Sequence, residues 1–403
     1  MAFSRPAALH DELARALPER PFGVRLWDGS YLPPTQNGVP VPTFTARSPR
    51  AVAHLLRAPG QLGLGRAYVS GELEVDDLDA VAHLVRSWTP PALDAAAKRR
   101  LALAAVRAVG VTAPPPVPEA ELRPEGLRHS LRRDSRAVRH HYDLSNAFFA
   151  HFLDPSMTYS CAIFDDEQQS LEAAQANKLE TVCRKLELRP GMRVLDVGCG
   201  WGAFALHAAT RHDVHVTGIT LSPEQAGEAK ARVAAAGLQD KVDIRVQDYR
   251  ELRGETFEAI ASIGMVEHVG AVNIDAYAAT LAAALAPGGW LLNHGIARLR
   301  HSDPEAGPFS ERYVFADAAP LHLSRILFAI EAAGLAVRHA EGFPEHYART
   351  LTHWIENLEA DLPAAERLVG AERLRVWRLY LRGARNGFES GFMSVFQVRA
   401  RKP

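Results

Sequence analysis

Cysteine is scarce in this chain: Cys161, Cys183 and Cys199 are the only three in 403 residues. An odd, sparse set excludes a disulfide framework and fits a reducing cytoplasm. Long apolar runs are absent as well. No stretch approaches the ~18 consecutive apolar residues that mark a bilayer-spanning helix, and the opening MAFSRPAALHDELARALPER holds no uncharged apolar run. Neither a signal peptide nor an anchor is therefore expected, and any meeting with lipid takes place from the water side. Nor does one sign of charge dominate. Lys and Arg (46) nearly balance Asp and Glu (47), for a net charge of −1. A general nucleic-acid binder carries a basic excess, so that class is set aside.

What the chain does have is apolar bulk, 47% of its residues, enough for two cores or one core with a large appendage. Residues 1–111 read as a first unit. FGVRLWDGSYLP (22–33) alternates like a strand pair around the turn signal Asp28-Gly29. SPRAVAHLLRAPGQLG (48–63) opens with a capping Ser and runs as a helix to Pro59-Gly60, and 93–109 is a second helix by propensity. TAPPPVPEAELRPEG (112–126) holds five prolines and reads as a semi-rigid linker.

From 127 to 403 the pattern changes to an alternation of strands and helices. Apolar strands are expected at 192–198, 214–220, 242–248, 257–264 and 290–296, with helices at 223–237 and 274–289. Uninterrupted apolar strands between helices mean an α/β fold, a mostly parallel sheet covered by helices on both faces. The N-terminal part is a smaller α+β domain.

The strongest motif is VLDVGCGWGAFALHAA (194–209). A strand ends in Asp196 and turns through Gly198, Cys199, Gly200, Trp201 and Gly202 into a helix. Glycines there let the backbone turn sharply and approach a ligand, at the strand end where open α/β sheets bind ligands. A dinucleotide fingerprint fails in detail, because Gly202 comes one position early. The second strand end, Thr220-Leu221-Ser222, also lacks the acid immediately at its tip that would usually hold a ribose in a nicotinamide enzyme. GxGxG after a strand ending in Asp resembles class I (Rossmann-like) methyltransferases, which use S-adenosylmethionine. Gln247-Asp248, at the third strand end, suit the amino edge of adenine.

Further segments carry a closer resemblance: HYDLSN, LDPSMTYSCAIF, GCGWG, QDYRE and GMVEHVG. Together they resemble the cyclopropane-fatty-acyl-phospholipid synthases and the mycolic-acid cyclopropane synthases, across about 127–400. The N-terminal part is similar only through LGLGRAYVSGELEVDD. The resemblance implies that Tyr159, Ser160, Asp196, Gly198, Cys199, Gly200, Gly202, Thr220, Leu221, Gln225, Gln247 and Asp248 surround the cofactor. It further implies a bicarbonate that acts as the base, bound by Cys161, Glu267, His294, the backbone of Ile296, and Tyr347. No metal is implied. Ala384 stands where some phospholipid-acting members carry a late cysteine, which excludes a thiol mechanism at that position.

This chemistry accounts for such a set. An alkene is a weak nucleophile, so it must be held in line with the donor methyl in a closed pocket. Attack leaves a carbocation, from which water must be kept away and which aromatic faces such as Tyr347 stabilise. A base then takes a proton. Loss from the added carbon closes a cyclopropane, and loss from a neighbouring carbon gives a methylene or methyl branch. Two other classes stay open: a methyltransferase for a small-molecule or protein nitrogen or oxygen, with Glu267 or His294 as an ordinary base, and a lipid-binding module without activity. Taken singly, Cys161 is a small buried hydrophobe, His294 a core histidine and Tyr347 a packing residue. Only the joint pattern makes them a site.

Two basic stretches are candidates for phospholipid headgroups: Arg123, Arg128, Arg132, Arg133, Arg136 and Arg139, and the helix bearing Arg373, Arg375, Arg378, Arg382 and Arg385. Solvated faces or internal ion pairs account for them equally well. The expectation is a cytoplasmic enzyme at the inner face of the membrane, acting on unsaturated phospholipid, with the N-terminal domain presenting lipid or forming a homodimer.

Overall fold

The computed structural model describes residues 6–36, 41–110, 113–122, 133, 145–302, 307–315 and 320–403. They fall into two compact units. The first comprises Met1–Leu122 together with Gly307–Tyr313 and Gly370–Asn386; the second comprises Arg123–Ala306, Val314–Val369 and Gly387–Pro403.

The first unit holds α1 (Ala7–Ala16), β1 (Gly23–Arg25), β2 (Tyr31–Leu32), β3 (Thr43–Ala46), α2 (Pro49–Arg57), α3 (Gln61–Val69), β4 (Leu73–Val75), α4 (Leu78–Ser87) and α5 (Ala95–Val109). Its described strands pair in the order β2-β1-β3-β4. The expected hairpin forms: β1 and β2 are antiparallel, Gly29 takes φ +88° and Asp28 accepts from the Ser30 amide at 3.0 Å. Ser48 caps α2 by accepting from Arg50 N, and Asp94 caps α5 by accepting from Ala97 N.

The proline segment departs from the linker expectation. Residues 113–122 belong to the first unit. The Leu122 amide donates to Arg312 O at 2.7 Å, and buried Glu121 accepts both arms of the Arg66 guanidinium at 2.7 and 2.6 Å. Proline stiffness sets the local backbone, whereas the Glu121 carboxylate needs a cation and finds it 55 residues away in sequence.

The C-terminal basic helix (Ala371–Glu389) also has internal partners. Arg375 pairs with Glu74, and Arg382 and Arg385 both pair with Asp79, while Leu374 and Trp377 are buried. Internal ion pairs therefore account for much of that stretch. Arg123, Arg128, Arg132, Arg136 and Arg139 lie outside the described residues.

The second unit contains a seven-stranded sheet of order β10-β11-β9-β8-β5-β6-β7. Its strands are β5 (Arg193–Val197), β6 (His215–Thr220), β7 (Val242–Val246), β8 (Phe257–Ile263), β9 (Leu285–Arg298), β10 (Ala336–Gly342) and β11 (Met393–Arg401). β5 through β9 are parallel, and β11 runs antiparallel to β9 and to β10. The helices used below are α6 (Asn146–Phe152), α7 (Leu171–Lys185), α8 (Ala203–His212), α9 (Pro223–Ala235), α10 (Val266–Ala284), α11 (Leu323–Ala332) and α12 (Pro344–Ala360).

Alternation along the strands feeds two cores. Val194, Val216, Ile244 and Ala259 pack with Leu179, Phe204 and Ala229 of α7, α8 and α9. Leu195, Ile219, Ile260 and Leu291 pack with Ile274, Leu281, Ile326 and Ile330 of α10 and α11. Both faces are thus covered, as a parallel sheet requires. The five strands expected between 192 and 296 all form. The expected helix 274–289 ends early: α10 breaks at Gly270, with φ +74° and ψ +162°, runs on to Ala284, and Leu285–Gly289 already belongs to β9. Pro287-Gly288, with Gly288 at φ +77°, cannot continue a helix. Among the described residues no helix is long and apolar enough to cross a membrane.

Candidate active site

Strand order reverses between β5 and β8, and a crevice opens there at the carboxyl ends of the strands. Gly198, Gly200 and Gly202 there have φ of +78°, +54° and +84°, a region that side chains avoid. Tyr159, Ser160, Asp196, Gly198, Cys199, Gly200, Thr220, Leu221, Gln225, Gln247 and Asp248 all line one cavity at these strand ends. Gly202 does not line it. It starts α8, and a Cβ at that position would meet Ala229 Cβ at 3.2 Å, so its smallness serves the packing of α8 on α9.

The cavity is held by its own hydrogen bonds. Thr220 Oγ1 donates to Gln225 Oε1 at 2.8 Å, Ser222 caps α9, and the Gln247 amide donates to Thr220 O at 3.0 Å. Arg250 holds the Asp248 carboxylate with two contacts of 2.8 and 2.7 Å. Asp196 is 1% exposed, and its Oδ2 has no hydrogen-bond partner. Burial raises its carboxyl to about 7, against the opposing pull of Lys178.

Lys178 was missed in the sequence. It lines the cavity, is 1% exposed and donates to Ser160 Oγ at 2.9 Å. Burial pulls its ammonium down to about 8, while Cys161, Asp154 and Asp196 hold it up. The legible signal is a lysine in register with Leu171, Ala174, Gln175 and Val182, the buried face of α7. Trp201 of the glycine turn and His268, next to Glu267, also line the cavity, as do Met265 and Phe315, which were not picked out. Burial lowers His268 to about 4.

The five residues of the catalytic expectation lie outside that cavity lining and fall into two sets. In the first, Gly295 lies against Glu267, since a Cβ on it would sit 2.9 Å from Glu267 Oε2, and Ile296 follows Gly295 on β9. His294 precedes them on β9. Glu267 Oε2 and His294 Nε2 are both buried without a hydrogen-bond partner. Burial raises Glu267 to about 7 and lowers His294 to about 3, helped by the charges of Lys178 and Lys185.

In the second set, Cys161 Sγ contacts Phe343 O at 3.9 Å, and the next amide, Ala162 N, donates to Thr350 Oγ1 of α12 at 3.0 Å. Burial pushes the Cys161 thiol far above its ordinary value, so it is a poor nucleophile. Tyr347 is on the same helix, stacked on Phe388 at 4.4 Å. Its ring lies 6.1 Å from Trp354, which in turn lies 5.1 Å from Tyr159 of the cavity wall. An aromatic wall thus connects the two regions, and the charge of Lys178 acts on both Cys161 and His294.

Comparison with known proteins agrees with this architecture. The mycolic acid cyclopropane synthetase family matches residues 129–398. A probable fatty acid methyltransferase of Pseudomonas putida is 40% identical over 391 residues, covering 95% of this chain and 92% of that protein. The cyclopropane-fatty-acyl-phospholipid synthase of Escherichia coli (strain K12) is 34% identical over 340 residues, covering 84% and 82%. Among solved structures, mycolic acid cyclopropane synthase CmaA1 complexed with SAH and CTAB has a TM-score of 0.63 at 32% identity, covering 66% of this chain and 98% of that one. A glycine loop at the sheet's switch point, matched at this identity over most of the chain, has one consequence: the chain belongs to the mycolic acid cyclopropane synthetase family and is an S-adenosylmethionine-dependent methyltransferase of lipid acyl chains.

Proposed function

We propose that this enzyme transfers the methyl of S-adenosylmethionine to the double bond of an unsaturated fatty acyl chain of a phospholipid, and that loss of a proton from the added carbon closes a cyclopropane. The observation that carries this reading is the pair of buried polar atoms left without partners, Glu267 Oε2 and His294 Nε2. Buried polar groups are normally satisfied, so each of these two atoms is open to a small polar guest. A simple nitrogen or oxygen methyltransferase would use Glu267 or His294 as a base, and only the second of these is set aside by its environment. An imidazole pulled down to about 3 is too weak for that work.

The cavity fits the cosubstrate. Its glycines admit close approach of a ligand backbone, and Asp196 and Lys178 set a carboxyl and an ammonium on the same wall, matched to the two charges of an amino-acid end. When bound, S-adenosylmethionine supplies an electrophilic methyl. Tyr159, Trp354 and Tyr347 exclude water and offer ring faces to positive charge developing on the acyl chain. The Tyr347 hydroxyl, His294 Nε2, Glu267 and the Cys161 backbone are the groups that would hold bicarbonate, which would supply the base. The Ile296 backbone would join that set. The first unit then presents lipid or makes a dimer contact at the inner membrane surface.

A second reading keeps cosubstrate and substrate but yields a methyl- or methylene-branched chain. The name of the Pseudomonas putida relative, a probable fatty acid methyltransferase, favours it. Proton NMR of lipids from an expressing host separates the two, since the cyclopropane and methylene isomers have one mass. High-field cyclopropyl signals are expected, and vinylidene signals in their place would select the second reading. Liposomes with and without a double bond test the substrate class, and turnover that ignores the olefin refutes both readings. Glu267→Gln or His294→Ala is expected to lower turnover by about 10²–10⁴-fold while affinity for S-adenosylmethionine changes little. Equal loss of both would assign these residues to binding or folding.

A further inference from the structure

His294 and Gln397 stand directly opposite each other in the antiparallel pairing of β9 with β11. Both side chains are buried, at 1% and 0% exposure. Their Nδ1 and Nε2 atoms are 3.2 Å apart. An uncharged imidazole has one nitrogen that donates and one that accepts, and an amide nitrogen only donates. If the Gln397 amide nitrogen faces Nδ1, then Nδ1 accepts and the ring proton must sit on Nε2.

That conclusion depends on which way the amide is turned, and a third residue decides it. Lys185 Nζ is 2.6 Å from Gln397 Oε1. An ammonium has donors and no acceptor, so only the amide oxygen can face it. Lys185 is itself fixed by Glu341 at 2.7 Å and by the Phe343 ring at 5.3 Å. Four side chains from α7, β10, β11 and β9 thus form one directed chain, Glu341–Lys185–Gln397–His294. Its last atom, His294 Nε2, is the buried nitrogen that has no partner.

We propose that Lys185 and Gln397 are positioning residues that fix the ring proton of His294 on Nε2, so that His294 presents a hydrogen-bond donor, and never a lone pair, to a small oxyanion held beside Glu267. The proposal rests on the reading that His294 faces such an anion. A donor in a dry site stabilises negative charge without reorganising, while a lone pair in the same place repels it. Gln397→Leu removes the bias and leaves both tautomers accessible. Gln397→Glu reverses it, because a carboxylate at that position accepts from Nδ1–H and transfers the ring proton away from Nε2.

The test is ¹⁵N NMR of the full chain labelled at histidine, with His294 assigned by its absence in His294→Gln. The wild-type ring is expected to carry its proton on Nε2, Gln397→Leu to give a mixture, and Gln397→Glu to carry it on Nδ1. Turnover is expected to fall about tenfold in Gln397→Leu, equivalent to one hydrogen bond, and about 10²-fold or more in Gln397→Glu, with affinity for S-adenosylmethionine unchanged in both. A wild-type ring protonated on Nδ1 overturns the proposal. So does a Gln397→Glu variant whose ring stays protonated on Nε2. If the tautomers switch as expected and turnover does not respond, the positioning chain stands and the placement of the anion at His294 falls. Should Gln397→Glu fail to fold, Lys185→Met frees the amide to turn and must itself give mixed tautomers.

Discussion

Gly295→Ala is a one-carbon change whose consequence can be worked from the packing. Gly295 lies in β9, paired with Phe396 of β11 and one residue past the last pairing with β8, Ile263 with His294. A Cβ there would stand 2.3 Å from Val266 Cγ1 and 2.9 Å from Glu267 Oε2, against an ordinary carbon contact of about 3.5–4.0 Å. Either β9 or the start of α10 must move by about 1 Å to recover that contact distance. Overpacking of this kind costs about 1–3 kcal/mol, and each kcal/mol lowers Tm by about 2–4 °C in a domain of roughly 150–250 residues. The larger effect falls on chemistry, since a ~1 Å misplacement of a reacting group costs about 10²-fold in rate. Expected, then, is a folded variant with Tm lowered by several degrees and kcat down about 10²-fold. The assay is methyl transfer to unsaturated liposomes beside a thermal melt. Gly227→Ala is the control: its Cβ meets nothing within 4 Å in the interior of α9, so it should gain about 0.5–1 kcal/mol and keep its rate. Wild-type kcat in folded Gly295→Ala would refute the placement of Glu267 at the reacting centre.

Lys178→Met should weaken S-adenosylmethionine binding about tenfold, the loss of one charge-assisted hydrogen bond, as read by calorimetry. Because burial pulls the Lys178 ammonium down to about 8, its charge disappears as pH rises through 8. Wild-type affinity should therefore fall above pH 8, and the variant should lack that limb; parallel pH profiles would remove Lys178 from the cosubstrate site. In the first unit, Glu121→Ala strands the Arg66 cation, whose side chain is 11% exposed. Breaking one side of a buried pair costs about 3–5 kcal/mol, so a melt unchanged from wild type would show that the pair contributes nothing.

Relations within a short stretch of chain were legible in the sequence: the parallel α/β core, the strand ends, and the glycine turn from Asp196 into α8. Strand periodicity and the backbone freedom of glycine are local properties, and the residues expected around the cofactor follow from them and from resemblance; all but Gly202 line the cavity. Boundaries were less secure. The end of α10 was misplaced by five residues, because alanine-rich sequence favours helix until Pro287 is reached, while pairing with β8 already draws Leu285 into the sheet.

What only the tertiary structure decided is the company each group keeps. Gln397 is 103 residues from His294 and Lys185 is 212 from Gln397; only the register of β9 against β11 makes them neighbours. The packing of α7 turns Lys178 inward, and Glu121 draws a proline-rich segment into the first unit by its need for Arg66. Sequence by itself determined the elements and the glycine loop, since those follow from each residue's own conformational preference. Protonation and hydrogen-bond direction at the site depend on burial and on distant partners, and those exist only once the chain has folded.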